Sequence, residues 1–238
     1  SKLQEGYDMM KTDIFRIYTK HLMEHYHKAP ECSLLHYAKL HKNEEWNVIN
    51  DQIPHWFWPF IFMFGFLIPN LLCVILNRKD VYSKIKKEIF TGEDDIDINS
   101  KKSYLHYCVI EHIRLFNTIN INMQRTAEKT MEYHGLKLKK GDQLFILFSS
   151  ILRDEKEFND PDEFIPDRWK DRTIEEQNIV FGIGPQQCPS KQISPLFYKS
   201  MIYHLLKNYN YACLSPILDS KKLYFINPYE IHFSSGKS

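Results

Sequence analysis

The sequence predicts a mainly α-helical protein with a small β-sheet, an α+β fold class, in a single domain spanning residues 1–238. Apolar residues recur with helical periodicity over several stretches, whereas a period of two is confined to a short region after residue 118. Of the 238 residues, 43% are hydrophobic and 26% charged, so the chain is long enough to bury a core of its own.

Helical patterns come first along the chain and one returns late. They predict helices over residues 8–26, 34–40, 79–90, 103–116 and 196–209. The alternating signal begins at 119–123, and two further short strands follow, the last running over 144–148. Residues 161–195 are predicted to be loop.

One apolar run stands out from the average composition. Sixteen of the twenty residues over 57–76 are apolar, and no acidic or hydroxyl side chain occurs between Ile53 and Asn77. The length fits a transmembrane helix, in which Trp56 and Trp58 would form an interfacial belt and the basic residues after Asn77 a cytoplasm-facing flank. An all-apolar helix also fits the centre of a large domain, so these residues alone favour the membrane span without deciding between the two interpretations.

Charge and cysteine content exclude several classes of protein. The net charge is +1, which gives no electrostatic reason to expect a nucleic-acid partner. The five cysteines are an odd number, widely spread and without a CxxC pair, which argues against a disulfide framework or a zinc site. Reduced thiols are therefore expected.

The most informative segment is FGIGPQQCPS at residues 181–190, called the Cys188 loop below. Gly182 and Gly184 lie within six residues of Cys188, as a loop requires when its backbone passes close to a flat ligand and its N–H groups face a sulfur. Taken alone, the pattern favours the commoner case, a buried structural cysteine on a turn.

A second set of residues suggests a buried ionic cluster. Glu111 and Arg114 are three residues apart and share a helix face, which alone would give a nearly neutral surface salt bridge. Arg168 follows a proline in a predicted turn, and its guanidinium would be the second to bind the same carboxylate. We call these three residues the Glu111 lock and expect it to hold the Cys188 loop near the helix.

Together, three segments resemble the cytochrome P-450 superfamily of haem-thiolate enzymes. The Cys188 loop is similar to that family's F-x-x-G-x-R-x-C-x-G signature, with Phe181, Gly184 and Cys188 in register. Residues 111–114 match the E-x-x-R pair, and residues 160–169 match the P-x-x-F-x-P-x-R-W segment. The resemblance implies a cytochrome P-450-like fold truncated at its N-terminus, as in a fragment, a processed product or a reduced relative.

The resemblance also implies a cofactor, an activity and partners. The cofactor would be haem b, iron protoporphyrin IX, with the Cys188 thiolate as metal ligand and Arg125 pairing with a propionate. Haem contacts would further come from Phe181, Gly184 and Gln186. The activity would be that of an oxidoreductase on a hydrophobic small molecule such as a sterol or fatty acid, as a monooxygenase or by peroxide rearrangement. Dioxygen chemistry would require an NADPH-dependent reductase.

In this family a long buried helix crosses the distal face of the haem, and residues 57–76 occupy its place. The resemblance therefore favours burial of the apolar run, with membrane association as the alternative. The chain departs from the family in three ways: Gln186 replaces an arginine, Ser190 replaces a glycine, and the distal helix lacks its acid–threonine proton relay. Pro195 would interrupt a helix begun at Cys188, so we expect Ser194 to be the N-cap of a later one.

These departures keep two alternatives to the haem enzyme open. One is a haem-free relative that retains the Glu111 lock as architecture with a structural or binding role. The other is a membrane-anchored protein that uses residues 57–76 as its span.

Overall fold

The computed structural model describes residues 63–91, 97–116, 123–185, 187–218 and 226–237, with residues 20, 24, 28, 30, 31 and 36. The chain divides into two compact units, Ser1–Phe62 and Met63–Ser238, and the architecture below is that of the second. Most of the predicted helices at 8–26 and 34–40, the first part of the apolar run at 57–62 and the strand residues 119–122 lie outside the described residues.

Three helices form the first half of this unit. A π-helical turn at Met63–Leu67 leads directly into α1, Ile68–Asn77, and Pro69 lies in its first turn, where no backbone N–H is required. Helix α2 spans Lys79–Phe90, as its periodicity predicts, and α3 spans Tyr104–Leu115. Residues 71–75 of α1 are at most 4% exposed, so this part of the apolar run is core. None of the helices within the described ranges is long and apolar enough to cross a membrane.

Helix α3 begins with its backbone donors fully used. The Ser103 hydroxyl accepts from the N–H of His106 at 3.1 Å, as an N-cap does. The carboxylate of Glu88, on α2, accepts from the N–H groups of Tyr104 and Leu105 at 2.7 and 2.9 Å. A side chain from a neighbouring helix thus completes the cap that the local sequence begins.

The described strands form three two-stranded antiparallel sheets. Strand β1, Met123–Thr126, pairs with β4, Gln143–Ile146, and the hairpin β2, Met131–Tyr133, and β3, Leu136–Leu138, lies between them in sequence. The strand predicted over 144–148 ends earlier, because Phe148 begins the short helix α4, Phe148–Ile151.

Residues 161–195, predicted as loop, contain three short helical segments. They are a 3₁₀ turn at Pro166–Trp169, helix α5 at Ile174–Gln177 and a 3₁₀ turn at Asn178–Phe181. Thr173 and Glu176 form a capping box at the start of α5. These turns are too short for a periodicity of their own, which is why the pattern does not reveal them.

Helix α6 spans Ile193–Asn208 and begins three residues earlier than predicted. Ser194 is therefore inside the helix and is not its N-cap. Pro195 is tolerated because it occupies the first turn, where an N–H has no intrahelical partner. Tyr209, assigned to the helix by sequence, instead starts strand β5, Tyr209–Ser215, which pairs with β6, His232–Lys237, in a hairpin that the sequence pattern did not predict.

The hydrophobic core is built from α1, α2, α3 and α6 together with segment 158–169. Strand β5 and the residues that follow it are joined to α1 by polar contacts as well. The side-chain amide of Asn77 donates to the Pro216 carbonyl at 3.2 Å, and its oxygen accepts from Leu218 N–H at 2.9 Å. Cys73 and Cys213 meet in the same place, with 3.5 Å between their sulfurs.

Candidate functional site

Glu111 lies on α3 with no exposed surface, and its carboxylate accepts five hydrogen bonds. Arg114 donates two of them, from Nε and Nη2, at 2.8 and 2.9 Å. Arg168 Nε donates a third at 3.0 Å. The structure therefore brings together the three residues of the Glu111 lock, with the bidentate geometry that makes an arginine–carboxylate pair strong.

The remaining two bonds to Glu111 come from groups that the motif analysis did not single out. Trp169 Nε1 donates to Oε2 at 2.9 Å, and the backbone N–H of Ile165 donates to Oε1 at 3.0 Å. Trp169 has no exposed surface. Its place beside Arg168 in the matched segment was the available signal, but a tryptophan usually indicates packing before it indicates a donor.

Arg114 uses all five of its N–H groups. Besides Glu111, the guanidinium donates to the carbonyls of Leu152 and Pro161, each at 2.7 Å, and of Glu163 at 3.2 Å. Because both partners of a buried ion pair are hydrogen-bonded throughout, the desolvation cost that normally weakens such pairs is compensated. Arg114 thereby ties segment 152–163 to α3.

Phe158 lies under the cationic side of the lock. Three guanidinium carbons stand over its ring, those of Arg114 at 4.9 Å, Arg168 at 5.9 Å and Arg172 at 4.8 Å from the centroid. The ring is 1% exposed, and cation–π attraction is largest where water is excluded. Phe158 therefore helps to hold positive charges that one carboxylate alone does not balance.

Next to Glu111, His112 forms a hydrogen-bonded chain towards the π-helical turn. Its Nδ1 lies 2.7 Å from the Tyr198 hydroxyl, which donates to the Leu67 carbonyl. Since that hydroxyl proton is used on Leu67, Nδ1 must carry the imidazole proton. Complete burial lowers the pKa of His112 to about 3, so the ring is neutral.

The Cys188 loop begins where the 3₁₀ turn Asn178–Phe181 ends. The backbone N–H of Cys188 donates to the Phe181 carbonyl at 2.9 Å, and this hydrogen bond closes the loop. Gly184 has φ +89°, a conformation that L side chains rarely adopt, and a Cβ there would meet nothing within 4 Å. Glycine is thus required at this position by its backbone angle, while the space beside it is open. Gln186 lies outside the described residues.

Cys188 differs from the other described cysteines in its surroundings. Cys108 is fully buried, and Cys73 and Cys213 contact each other. Cys188 is a half-buried free thiol whose sulfur lies 3.2 Å from the Ser190 hydroxyl. It precedes the first residue of α6 by five positions, so the dipole of that helix is not directed at the sulfur from its first turn.

Arg125, on β1, borders a cavity of about 440 Å³ together with Ala127, Lys129 and Leu144. Its Nη1 donates to the Gln124 carbonyl at 2.9 Å, and the side chain is half-buried. A guanidinium in this position could pair with an acidic group placed in the cavity.

Sequence comparison relates the chain to known proteins. The probable cytochrome P-450 513F1 of Dictyostelium discoideum is 29% identical over 154 residues, covering 61% of this chain and 31% of the relative. Cytochrome P-450 85A1 of Solanum lycopersicum is 29% identical over 123 residues, covering 50% and 26%. Cytochrome P-450 52C1 of Candida tropicalis is 25% identical over 158 residues, covering 60% and 31%. The match spans less than a third of the length of each relative.

The family profile described as cytochrome P-450 matches residues 68–228. This range is more than half of the chain and contains both the Glu111 lock and the Cys188 loop. It also includes all helices from α1 to α6, in agreement with the mainly α-helical fold expected from the sequence. This chain therefore belongs to the cytochrome P-450 family.

Proposed function

We propose that this chain is the C-terminal portion of a haem-thiolate oxidoreductase, in which Cys188 binds the haem iron. The observation that carries the proposal is the state of Cys188, a free, half-buried thiol on a closed glycine-containing loop. Within the described ranges, no three histidine, cysteine or acidic side chains gather as a metal site would require. Haem needs only one such protein ligand, because the porphyrin supplies the in-plane nitrogens, so the donor set fits this cofactor.

The other residues would position the cofactor. Phe181 packs its half-buried ring against the core, which fixes the start of the loop. Gly184 would leave room for a macrocycle where a side chain would otherwise project. Arg125 would supply the positive charge for a haem propionate, and Gln186 a neutral amide where the family has a second positive charge. Bound haem would supply oxygen or peroxide chemistry, which a cysteine thiolate promotes by donating electron density to the iron.

The proposed substrate is a hydrophobic small molecule, of the kind that a sterol or fatty acid represents. Of the two reaction types, we favour rearrangement of a peroxide. The described helix over 63–77 offers no carboxyl or hydroxyl side chain for delivering protons to dioxygen. Its buried polar side chain, Asn70, is a neutral amide whose Nδ2 donates to the Phe66 carbonyl at 2.8 Å and whose Oδ1 has no hydrogen-bond partner among the described residues. A monooxygenase would also require an NADPH-dependent reductase as partner, whereas peroxide rearrangement would not.

An absorption spectrum of the haem-supplied, reduced protein with carbon monoxide tests the ligand. We expect a thiolate-type Soret shift that disappears in Cys188→Ala and persists in Cys213→Ser, a variant of the other half-buried cysteine among the four that the structure describes. A spectrum without the thiolate shift in the unaltered protein would overturn the assignment. The reaction type is tested separately, by comparing conversion of a fatty-acid hydroperoxide alone with NADPH consumption in the presence of a reductase.

A second candidate is a haem-free relative with a structural role. It is supported by the Glu111 lock, whose hydrogen bonds are all made to protein groups and so need no ligand. In that case Cys188→Ala would leave the cellular function of the protein unchanged.

A further inference from the structure

Two serines connect the interior of α6 to the sulfur of Cys188. Ser194, 1% exposed, donates from its hydroxyl to the Ser190 hydroxyl oxygen at 2.8 Å. Ser190 Oγ in turn lies 3.2 Å from Cys188 Sγ. The backbone holds the two serines together, since the N–H of Ser194 donates to the Ser190 carbonyl at 2.8 Å. The chain Ser194–Ser190–Cys188 therefore runs through three side chains fixed relative to one another.

The direction of the hydrogen bonds follows from the number of protons. Each hydroxyl has one proton to donate. Because Ser194 gives its proton to Ser190, the proton of Ser190 remains available for another acceptor, and the cysteine sulfur is the acceptor within reach. A thiolate has no proton to give back, so in that state Ser190 must be the donor. The buried Ser194 reinforces this polarity, because accepting one hydrogen bond strengthens the next in a chain.

We propose that Ser190, supported by Ser194, is a positioning residue that donates a side-chain hydrogen bond to the iron-binding sulfur. This inference rests on the proposed function of Cys188. A donor withdraws electron density from a ligating sulfur and thereby stabilises the reduced, less positive iron. Ser190 stands where the family has a glycine, which offers no such side-chain donor, so the device belongs to this chain's own sequence.

The proposal is tested by the reduction potential of the full chain supplied with ferric protoporphyrin IX. Replacing Ser190→Ala should disfavour the ferrous state by about tenfold, the scale expected for a hydrogen bond to a charged acceptor. That change corresponds to a potential about 59 mV more negative for a one-electron couple. Ser194→Ala should produce a smaller shift in the same direction, and Ser190→Thr, which keeps a hydroxyl, should preserve the unaltered potential.

Comparing Ser190→Gly with Ser190→Ala separates the effect of the hydroxyl from that of the Cβ atom, because alanine keeps Cβ and glycine does not. If the hydroxyl matters, the glycine and alanine variants have the same lowered potential, and the iron–sulfur stretching frequency rises in both. If neither variant shifts the ferric–ferrous equilibrium by as much as twofold, the proposal is wrong.

A second measurement separates failure of this proposal from failure of the proposed function. If the unaltered protein shows no thiolate-type spectrum, the haem assignment fails, and the hydroxyl chain is then tested in the haem-free protein. Alkylation of Cys188 by iodoacetamide at fixed pH is followed by mass spectrometry of its peptide. It should be about threefold slower in Ser190→Ala, because the reactive thiolate loses the hydrogen-bond donor that stabilises it. Equal rates in the two proteins would overturn the hydroxyl chain itself.

Discussion

The Glu111 lock and the Cys188 loop satisfy their polar groups to very different extents. In the lock, a fully buried carboxylate accepts five hydrogen bonds and Arg114 uses every donor it has. In the loop, Cys188 is half-buried, and its sulfur is within hydrogen-bond distance of one side chain among the described residues, that of Ser190. The lock is thus complete as protein architecture, while the loop keeps coordinating capacity that the described residues do not use.

This difference separates what holds the fold from what would carry chemistry. Removing one partner of a buried, fully bonded ion pair leaves an uncompensated charge, whereas changing a half-buried loop side chain costs little. Substitutions in the lock should therefore lower stability without altering a haem spectrum of the folded protein. Substitutions in the loop should alter that spectrum with little effect on stability.

The largest effect is expected from Glu111→Ala, which leaves the guanidinium groups of Arg114 and Arg168 without their carboxylate. We expect a loss of about 3–5 kcal/mol in the free energy of unfolding, measured by urea denaturation. Glu163→Ala is the matched control, because Arg114 uses the backbone carbonyl of Glu163 and not its carboxylate. That variant should lie within about 0.5 kcal/mol of the unaltered protein. Comparable losses in both variants would contradict the assigned role of Glu111.

Acid should destabilise the region around the lock through two buried histidines. Burial lowers the pKa of His112 to about 3 and that of His106 to about 4. Both are neutral above about pH 6.5 in the folded and unfolded states, so they add no pH dependence there. As the pH falls below this value, only the unfolded chain gains the protons, and stability decreases. By pH 5 each histidine should have removed about 2 kcal/mol.

Urea denaturation at several pH values checks this expectation. His112→Gln should have a shallower dependence on pH between 6.5 and 5, although its stability at neutral pH is also lower. His204→Ala, at an exposed position of α6, should keep the original slope. An unchanged slope in His112→Gln would show that this ring is protonated in the folded state.

A smaller loss is expected from Trp169→Phe, which removes the indole donor 2.9 Å from Glu111 and leaves most of the buried ring area in place. The expected cost is about 1–3 kcal/mol. A double-mutant cycle with Glu111→Gln isolates the hydrogen bond from the loss of packing. If the two substitutions add without coupling, the indole contributes packing alone.

The smallest stability effect belongs to the loop. Cys188→Ala should change the free energy of unfolding by less than about 1 kcal/mol, because the side chain is half-buried. It should nevertheless abolish the thiolate-type spectrum. Cys73→Ala, at a position with no exposed surface, should behave in the opposite way and lose more stability while keeping the spectrum. Equal behaviour of the two variants would remove the distinction between a cysteine of the core and the cysteine of the loop.

Much of the lock could be predicted from the sequence, because two of its charged members have helical spacing and the third lies in a recognisable proline-containing segment. Two residues three apart on a helix must share a face, and Arg168 follows a proline that fixes its turn. The partners of the lock could not be predicted in the same way. Arg114 binds the carbonyls of Leu152, Pro161 and Glu163, and a backbone carbonyl carries no sequence signal of its own.

In the fold, too, the elements that depend on local sequence could be predicted, and those that depend on contacts between distant residues could not. Helices α2 and α3 lie where their helical periodicity predicts them, because that periodicity is a local property of the sequence. The start of α6 was misplaced because Ser194 has the chemistry of an N-cap but its hydroxyl is engaged by Ser190, four residues earlier. The hairpin of β5 and β6 joins strands far apart in sequence, and its pairing depends on contacts that no short window contains.

The cap of α3 bears on the order in which this unit folds. Two of its first backbone donors are satisfied by Glu88, so docking of α2 stabilises the first turn of the helix that carries Glu111. We therefore expect α2 and α3 to form as a pair early, through contacts close in sequence, and the segment that brings Arg168 to join later. Kinetically, Glu88→Gln should slow refolding, whereas Arg168→Lys should mainly accelerate unfolding.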